Sequence, residues 1–212
     1  MNDVEQEPDF ARTVFGEHIA AARVFASQLA EHGETLGLIG PLELPRLWTR
    51  HIANCGLVAP LLGSGTRVGD VGSGAGLPGV VLALARPDVE MVLIEPMERR
   101  VEWLSRQVEV LGLRNVEVVR ARAEECAGMN LDAVTARAVS ALRTLIPLTA
   151  PLVRPGGQLI LMKGAGAQNE LAAATKQIAK YRVRDVNVVA LGGDGLGEVT
   201  WVVRAKVDGL AR

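Results

Sequence analysis

From Arg67 onward the chain alternates short apolar, β-rich runs with stretches of helical periodicity, and few architectures accommodate that rhythm. RVGDV (67–71), VEMVLIE (89–95), VEVVRA (116–121), LDAVTA (131–136) and GQLILMKG (157–164) read as buried strands. Between and after them LPGVVLALA (77–85), ERRVEWLSRQVEVLG (98–112), ALRTLIPLTAPLV (141–153) and NELAAATKQIAKY (169–181) read as helices. Strands joined through helices are parallel and cross over right-handedly, which predicts an α/β, doubly wound, Rossmann-like sheet. The end of the chain breaks the pattern. VRDVNVVAL (183–191) and EVTWVVRAKV (198–207) are separated only by a Gly-rich turn, Gly192-Gly193-Asp194-Gly195, too short for a crossover helix, so an antiparallel terminal pair is expected.

The first 62 residues have a different texture. Phe10, Val14, Phe15, Ile19, Ala22, Phe25, Ala26 and Leu29 recur at helical spacing, and Gly33 suits a stop. A second helix is expected from Pro45 to Leu62, with Leu47, Trp48, Ile52, Cys55, Val58, Leu61 and Leu62 on its apolar side. The reading is therefore an N-terminal helical extension, 1–62, and a catalytic domain, 63–212, with Leu36 to Leu44 as the stretch resembling a joint.

Charge divides along the same line. Residues 1–60 hold four Lys and Arg against eight Asp and Glu, while the remainder holds nineteen against sixteen, so the formal net charge of −1 conceals a basic second part. Such a distribution permits an RNA partner without identifying one. No run of eighteen apolar residues occurs and the N-terminus MNDVEQEPDF is acidic, so a cytoplasmic protein with no membrane association is expected. Cys55 and Cys126 are far apart and lack partners at ligand spacing, which predicts two small buried apolar residues and no metal.

Chemistry concentrates in Asp70-Val71-Gly72-Ser73-Gly74-Ala75-Gly76-Leu77-Pro78-Gly79, where the first strand passes into a helix. Glycines at 72, 74 and 76 allow a tight turn and a close approach to a ligand. Such a loop alone also fits an ordinary strand-to-helix turn. Glu95 narrows the choice, because it ends the second strand 25 residues after Asp70, near the spacing at which a carboxylate accepts from ribose hydroxyls. An adenosine-containing cofactor is thus expected. A pyrophosphate would be repelled by Asp70, whereas the ammonium of a methionine moiety would be attracted, so GxGxG after an acid favours S-adenosyl-L-methionine over a nicotinamide dinucleotide.

In order along the chain stand Arg50-His51-Ile52, DVGSGAGLPG from Asp70, LIEPMERRVEWL from Leu93, Arg122-Ala123-Glu124-Glu125, Thr135-Ala136-Arg137-Ala138, and LVRPGG from Leu152 leading into LMKG at Leu161. With these blocks the chain resembles the RsmG (GidB) family of 16S rRNA guanine-N7 methyltransferases along nearly its whole length. The resemblance implies a class I S-adenosylmethionine-dependent methyltransferase fold, with a mostly parallel seven-stranded sheet. It implies methyl transfer to N7 of a guanine in the 530 loop of 16S rRNA, on naked RNA or the small ribosomal subunit. It also places the cofactor against Gly72 and Leu77, Glu95 at the ribose, Ala123 and Glu124 beside the adenine, and Arg137 near the methyl donor. Asp70, Ser73, Gly74 and Gly76 complete the expected cofactor set.

The absences agree with that chemistry. There is no Asn/Asp-Pro-Pro-aromatic motif for an exocyclic amine, and neither cysteine lies in a setting for covalent attack on a pyrimidine. Guanine N7 offers an unprotonated in-plane lone pair, so alignment can replace a strong general base. Arg137, the catalytic candidate, could otherwise be a structural ion-pair partner. His51 lies beside an apolar stripe and reads as a packed, hydrogen-bonded histidine. Arg99, Arg100, Arg143 and Lys163 follow predicted strands at the crevice edge and are the candidates for RNA contact. Their ordinary alternatives are a solvated helix face for Arg99 and Arg100 and a snorkelling lysine at Lys163. The same cofactor half also suits a methyltransferase of another RNA or of a small molecule, and the basic second part also suits a non-catalytic RNA-binding assembly factor.

Overall fold

The computed structural model describes residues 4–40 and 42–208. Among the described residues seven strands form one sheet in the order β3-β2-β1-β4-β5-β7-β6. These are β1 (Arg67–Val71), β2 (Glu90–Ile94), β3 (Val116–Val119), β4 (Leu131–Arg137), β5 (Val153–Lys163), β6 (Val183–Leu191) and β7 (Thr200–Val207). The first five are parallel. β7 inserts antiparallel between β5 and β6, as the short Gly-rich turn requires. β5 begins earlier than the sequence pattern suggests, because its register against β4 shifts between Leu131 and Ala133 and takes up Pro155-Gly156-Gly157.

Alternation along the strands sends side chains to two separate cores. Val68, Met91, Leu93, Ala133, Ile160 and Val202 face one side, and Val92, Ile94, Val134, Leu159, Leu161 and Val203 face the other. The second face is covered by three helices: α6 (Leu142–Thr149), α7 (Ala167–Ala173) and α8 (Thr175–Lys180). The break at Ala174 divides what the sequence suggests is one helix.

The first face is covered by α4 (Gly79–Ala85), α5 (Glu98–Val110) and the N-terminal helices α1 (Ala11–Phe15), α2 (Ile19–His32) and α3 (Ala53–Gly56). Phe15, Phe25, Leu29 and Ile52 share a single cluster with Val80 and Leu82 of α4. The helix expected over residues 10–29 is interrupted by a 3-10 turn, Gly16–His18, where Gly16 has φ +50°. The helix expected over 45–62 is more broken: a 3-10 turn (Leu44–Arg46), a π-helical stretch (Leu47–Ile52), α3, and a 3-10 turn (Ala59–Leu61). Glu5 accepts from the Trp48 and Thr49 N–H groups at 2.8 and 3.0 Å, satisfying donors at the start of the π-helical stretch. Wide helical turns of this kind concentrate at functional sites, and this one faces the carboxyl end of β4.

Candidate active site

The Gly-rich loop leaves β1 at Val71 and enters α4 at Gly79. Asp70 at the strand end is fully buried and accepts from the Gly79 N–H at 2.9 Å, fixing the start of α4. The approach is close enough that a Cβ on Gly79 would stand 2.3 Å from Leu93 Cδ2 and 2.6 Å from Asp70 Oδ2, so glycine is required there. Burial pushes the Asp70 carboxyl up to about 7, against the lowering effect of the Gly79 hydrogen bond. Its Oδ1 has no hydrogen-bond partner among the described residues.

Sequence reasoning sets Asp70 against the ammonium of a methionine moiety. The structure instead tucks it beneath the loop, because one carboxylate oxygen is needed to close the strand-to-helix turn. Ser73 is likewise buried, donating its hydroxyl to the Asp70 carbonyl at 2.8 Å. Gly76 serves packing, since a Cβ there would meet Val80 at 2.7 Å and Phe25 at 3.1 Å. Gly74 differs. A Cβ would find only Gly72 O at 3.7 Å and Arg100 Nη1 at 3.8 Å, so this glycine borders open space.

Behind the loop, Glu95 directly follows β2 and is almost completely buried. Its Oε2 accepts from the Gly74 N–H at 3.0 Å and its Oε1 from the Met97 N–H at 2.9 Å. Arg100, from the first turn of α5, stands 3.9 Å from the same carboxylate. The indole N–H of Trp103 donates to the Ala75 carbonyl at 3.0 Å, so a core tryptophan also anchors the loop.

Two cavities open beyond the strand ends. The loop cavity, about 370 Å³, is lined by Gly72, Ser73, Gly74, Ala75, Leu77 and Arg100, and closed by Leu38, Ile39, Glu43 and His51 from the N-terminal part. The strand-end cavity, about 270 Å³, is lined by Asn54, Met162, Lys163, Glu198 and Thr200 among others. Arg50, Arg137 and Ala138 belong to both.

Arg137, at the end of β4, is therefore the junction. Its Nη2 donates to the Arg50 carbonyl and to His51 Nδ1, each at 3.0 Å, and its Nη1 to Cys55 Sγ at 3.3 Å. On the other ring nitrogen, His51 Nε2 lies 2.6 Å from Glu43 Oε2. Burial and the charge of Arg137 hold the imidazole below its ordinary range, while Glu43 pulls the other way. Burial raises the Cys55 thiol, which makes it an inert packing and acceptor group.

The loop that joins β6 to β7 reaches the same place. Glu198 pairs with Arg46 and, at 3.5 Å, with Arg50, and its carbonyl accepts from the Asn54 amide at 2.8 Å.

Among the RNA candidates, Arg99 and Arg143 are exposed and make no ion pair or side-chain hydrogen bond among the described residues. Arg100 lines the loop cavity. Lys163 is occupied, donating to Glu170 at 2.9 Å and to the Ser140 carbonyl at 2.8 Å, so its charge serves an internal tie. Ala123 is buried and Glu124 exposed in a 3-10 turn, Ala123–Cys126, beyond β3. Glu43, Asn54 and Glu198 escaped sequence reasoning altogether. None carries a local motif, and Glu198 stands near the other end of the chain from the Gly-rich loop.

An adenosylmethionine fits what is present. The loop cavity falls within the roughly 300–1,000 Å³ usual for ligand sites. Gly74 leaves one wall clear, and the Arg100 Nε is buried without a partner among the described residues. No cluster of His, Cys, Asp or Glu suited to a metal occurs among the described residues, and no helix among them is long and apolar enough to cross a membrane.

Solved structures with this fold include a SAM-dependent O-methyltransferase from Thermotoga maritima. It is 15% identical, with TM-score 0.58, covering 89% of this chain and 72% of that one. TYW2 from M. jannaschii in complex with AdoMet is 18% identical, with TM-score 0.57, covering 77% and 78%. Sheet order and loop cavity together define a class I S-adenosylmethionine-dependent methyltransferase. Among curated proteins, Ribosomal RNA small subunit methyltransferase G of Clavibacter sepedonicus is 62% identical over 96% of this chain and 97% of its own length. The protein of that name from Leifsonia xyli subsp. xyli is 61% identical over 97% and 99%. Residues 18–196 match the GidB family, rRNA small subunit methyltransferase G, and the chain belongs to it. It is an S-adenosylmethionine-dependent methyltransferase of ribosomal RNA.

Proposed function

We propose that the chain methylates N7 of a guanine in the 530 loop of 16S rRNA, in the cytoplasm, with the first 62 residues as a helical extension that closes the site. The observation that carries this reading is the pair of cavities meeting at Arg137. The loop cavity suits the methyl donor and the strand-end cavity suits a base withdrawn from its stack.

When bound, S-adenosylmethionine supplies an electrophilic sulfonium methyl. The protein's task is alignment. Gly72, Gly74 and Leu77 line the donor's space, Glu95 holds the loop backbone through both carboxylate oxygens and is assigned to the ribose side, and Ala123 and Glu124 are assigned to the adenine side. A guanine presents N7 and O6 on one edge, and arginine is the commonest partner of that edge. Arg137 keeps N–H donors beyond its three intramolecular bonds, enough to hold O6 while N7 remains free to attack. No group need remove a proton before attack, because N7 carries none. Placement of two reactants can account for roughly 7–11 kcal/mol of barrier reduction.

Exposed Arg99 and Arg143 are assigned to phosphates flanking the base, with Arg100 adding positive charge at the cavity wall, while the charge of Lys163 is taken up by Glu170. The test is mass analysis of 16S rRNA and of small subunits after incubation with protein and isotope-labelled donor. Label at N7 of a single guanine in that loop is expected. Label elsewhere, or label appearing only in small metabolites, overturns the assignment.

A further inference from the structure

Arginine cannot accept a hydrogen bond, and this settles the state of His51. Arg137 Nη2 lies 3.0 Å from His51 Nδ1, so Nδ1 must present its lone pair and the ring proton must sit on Nε2. Nε2 is 2.6 Å from Glu43 Oε2, an acceptor placed to take that proton's hydrogen bond. The ring is buried and bridges Glu43, in the connecting stretch, to the end of β4. It sits on the π-helical stretch, whose Arg50 carbonyl takes a second Arg137 donor.

We propose that His51 is a positioning residue for methyl transfer: Glu43 holds its proton on Nε2, and the unprotonated Nδ1 clamps the Arg137 guanidinium at the junction of the two cavities. The proposal rests on the reading of Arg137 as the group that orients the target base. Protonating the ring turns Nδ1 into a donor facing a donor, which breaks the clamp and sets two cations against each other. The charged groups facing His51 are Glu43, Arg50 and Arg137, with Arg46 behind Glu43, and Asp70 beyond Cys55. Burial and Arg137 favour the neutral ring and Glu43 alone opposes them, so the clamp should persist to below the usual histidine range.

The experiment follows full-length protein by two readouts. Imidazole 15N shifts of the free protein, assigned by loss of one signal in His51→Asn, should show the Nε2–H tautomer at neutral pH and a titration below about 6.5. Initial methylation rates over pH 5 to 8.5 should show an acid limb in the wild type. His51→Asn, whose amide oxygen can replace the Nδ1 acceptor and does not titrate, should keep most of kcat and lose that limb. His51→Leu, with no acceptor, should lose about tenfold or more in kcat at every pH, with cofactor affinity and thermal midpoint measured alongside. Asp70 titrates nearby and any limb of its own would survive in His51→Asn, so the limb expected to vanish is the one whose midpoint matches the His51 15N titration. An Nδ1–H tautomer, or an acid limb unchanged in His51→Asn, overturns the proposal. If the wild type leaves guanine N7 unmethylated, the functional reading fails while the tautomer result still reports on the clamp.

Discussion

The N–H of Gly74 donates to the Glu95 carboxylate at 3.0 Å, so the tip of the glycine loop hangs from the end of the neighbouring strand. The same carboxylate accepts from Met97 N–H, which joins the loop, β2 and the start of α5 through one buried side chain. A residue that sequence spacing assigns to the ribose thus also shapes the surface on which the ribose would lie.

Glu95→Gln should weaken S-adenosylmethionine binding by about 1.5–3 kcal/mol, the range for hydrogen bonds to a charged group. The amide keeps one acceptor oxygen but turns an NH2 toward one of the two backbone donors, so the loop loosens as well. Calorimetric titration measures this directly, and a wild-type dissociation constant would contradict the ribose assignment.

Gly74→Val should abolish cofactor binding and leave the fold largely intact. Gly74 has φ +51°, a region that costs a β-branched residue about 1–3 kcal/mol. Its Cβ would clear the surrounding protein, so the damage stays in the cavity. Circular dichroism and titration of the same sample separate the two effects. Unchanged affinity in a folded variant would remove the loop from the site.

The buried Asp70 predicts a pH dependence of stability with a definite sign. Its pKa is about 7 in the folded chain against an ordinary 3.8, so between those values the folded state binds more protons than the unfolded one. Stability attributable to Asp70 is present at low pH and lost as pH rises toward 7, with a slope of at most about 1.4 kcal/mol per pH unit. Asp70→Asn, which can still accept from Gly79, should flatten stability between about pH 4 and 7. Denaturant midpoints at several pH values check it, and an unaltered slope would show that the carboxyl ionises normally.

Neutralising Arg99 or Arg143 should lower affinity for ribosomal RNA without changing cofactor affinity. Each lost phosphate contact on a single strand should flatten the log-log salt dependence by about 0.7. Arg100→Ala should differ by also weakening the cofactor, since Arg100 faces the loop cavity. Lys163→Ala should act mainly on stability, through Glu170 and the Ser140 carbonyl. RNA titrations at several salt concentrations distinguish these patterns. If neither exposed arginine changes affinity or slope, RNA must be held elsewhere, and the N-terminal helices become the surface to test.

What the sequence determined by itself was everything governed by short-range pattern: the alternation of strand and helix, the antiparallel end imposed by a short turn, and the glycine loop with its acid 25 residues on. These follow from local periodicity and from spacing within one β-α-β unit, where chain connectivity already limits the geometry. The tertiary structure alone decided how Asp70 and Lys163 use their charges, which glycines border open space, that Arg50, His51 and Cys55 meet Arg137, and that Glu43 and Glu198 stand behind Arg50 and His51. It also broke the helix expected over 45–62 into 3-10, π and α turns, within which the Arg50 carbonyl bonds to Arg137 and the first backbone donors bond to Glu5. Those outcomes depend on contacts between segments distant in the chain. Hydrophobic periodicity states which face of a segment is buried, but it carries no record of which polar group will stand opposite.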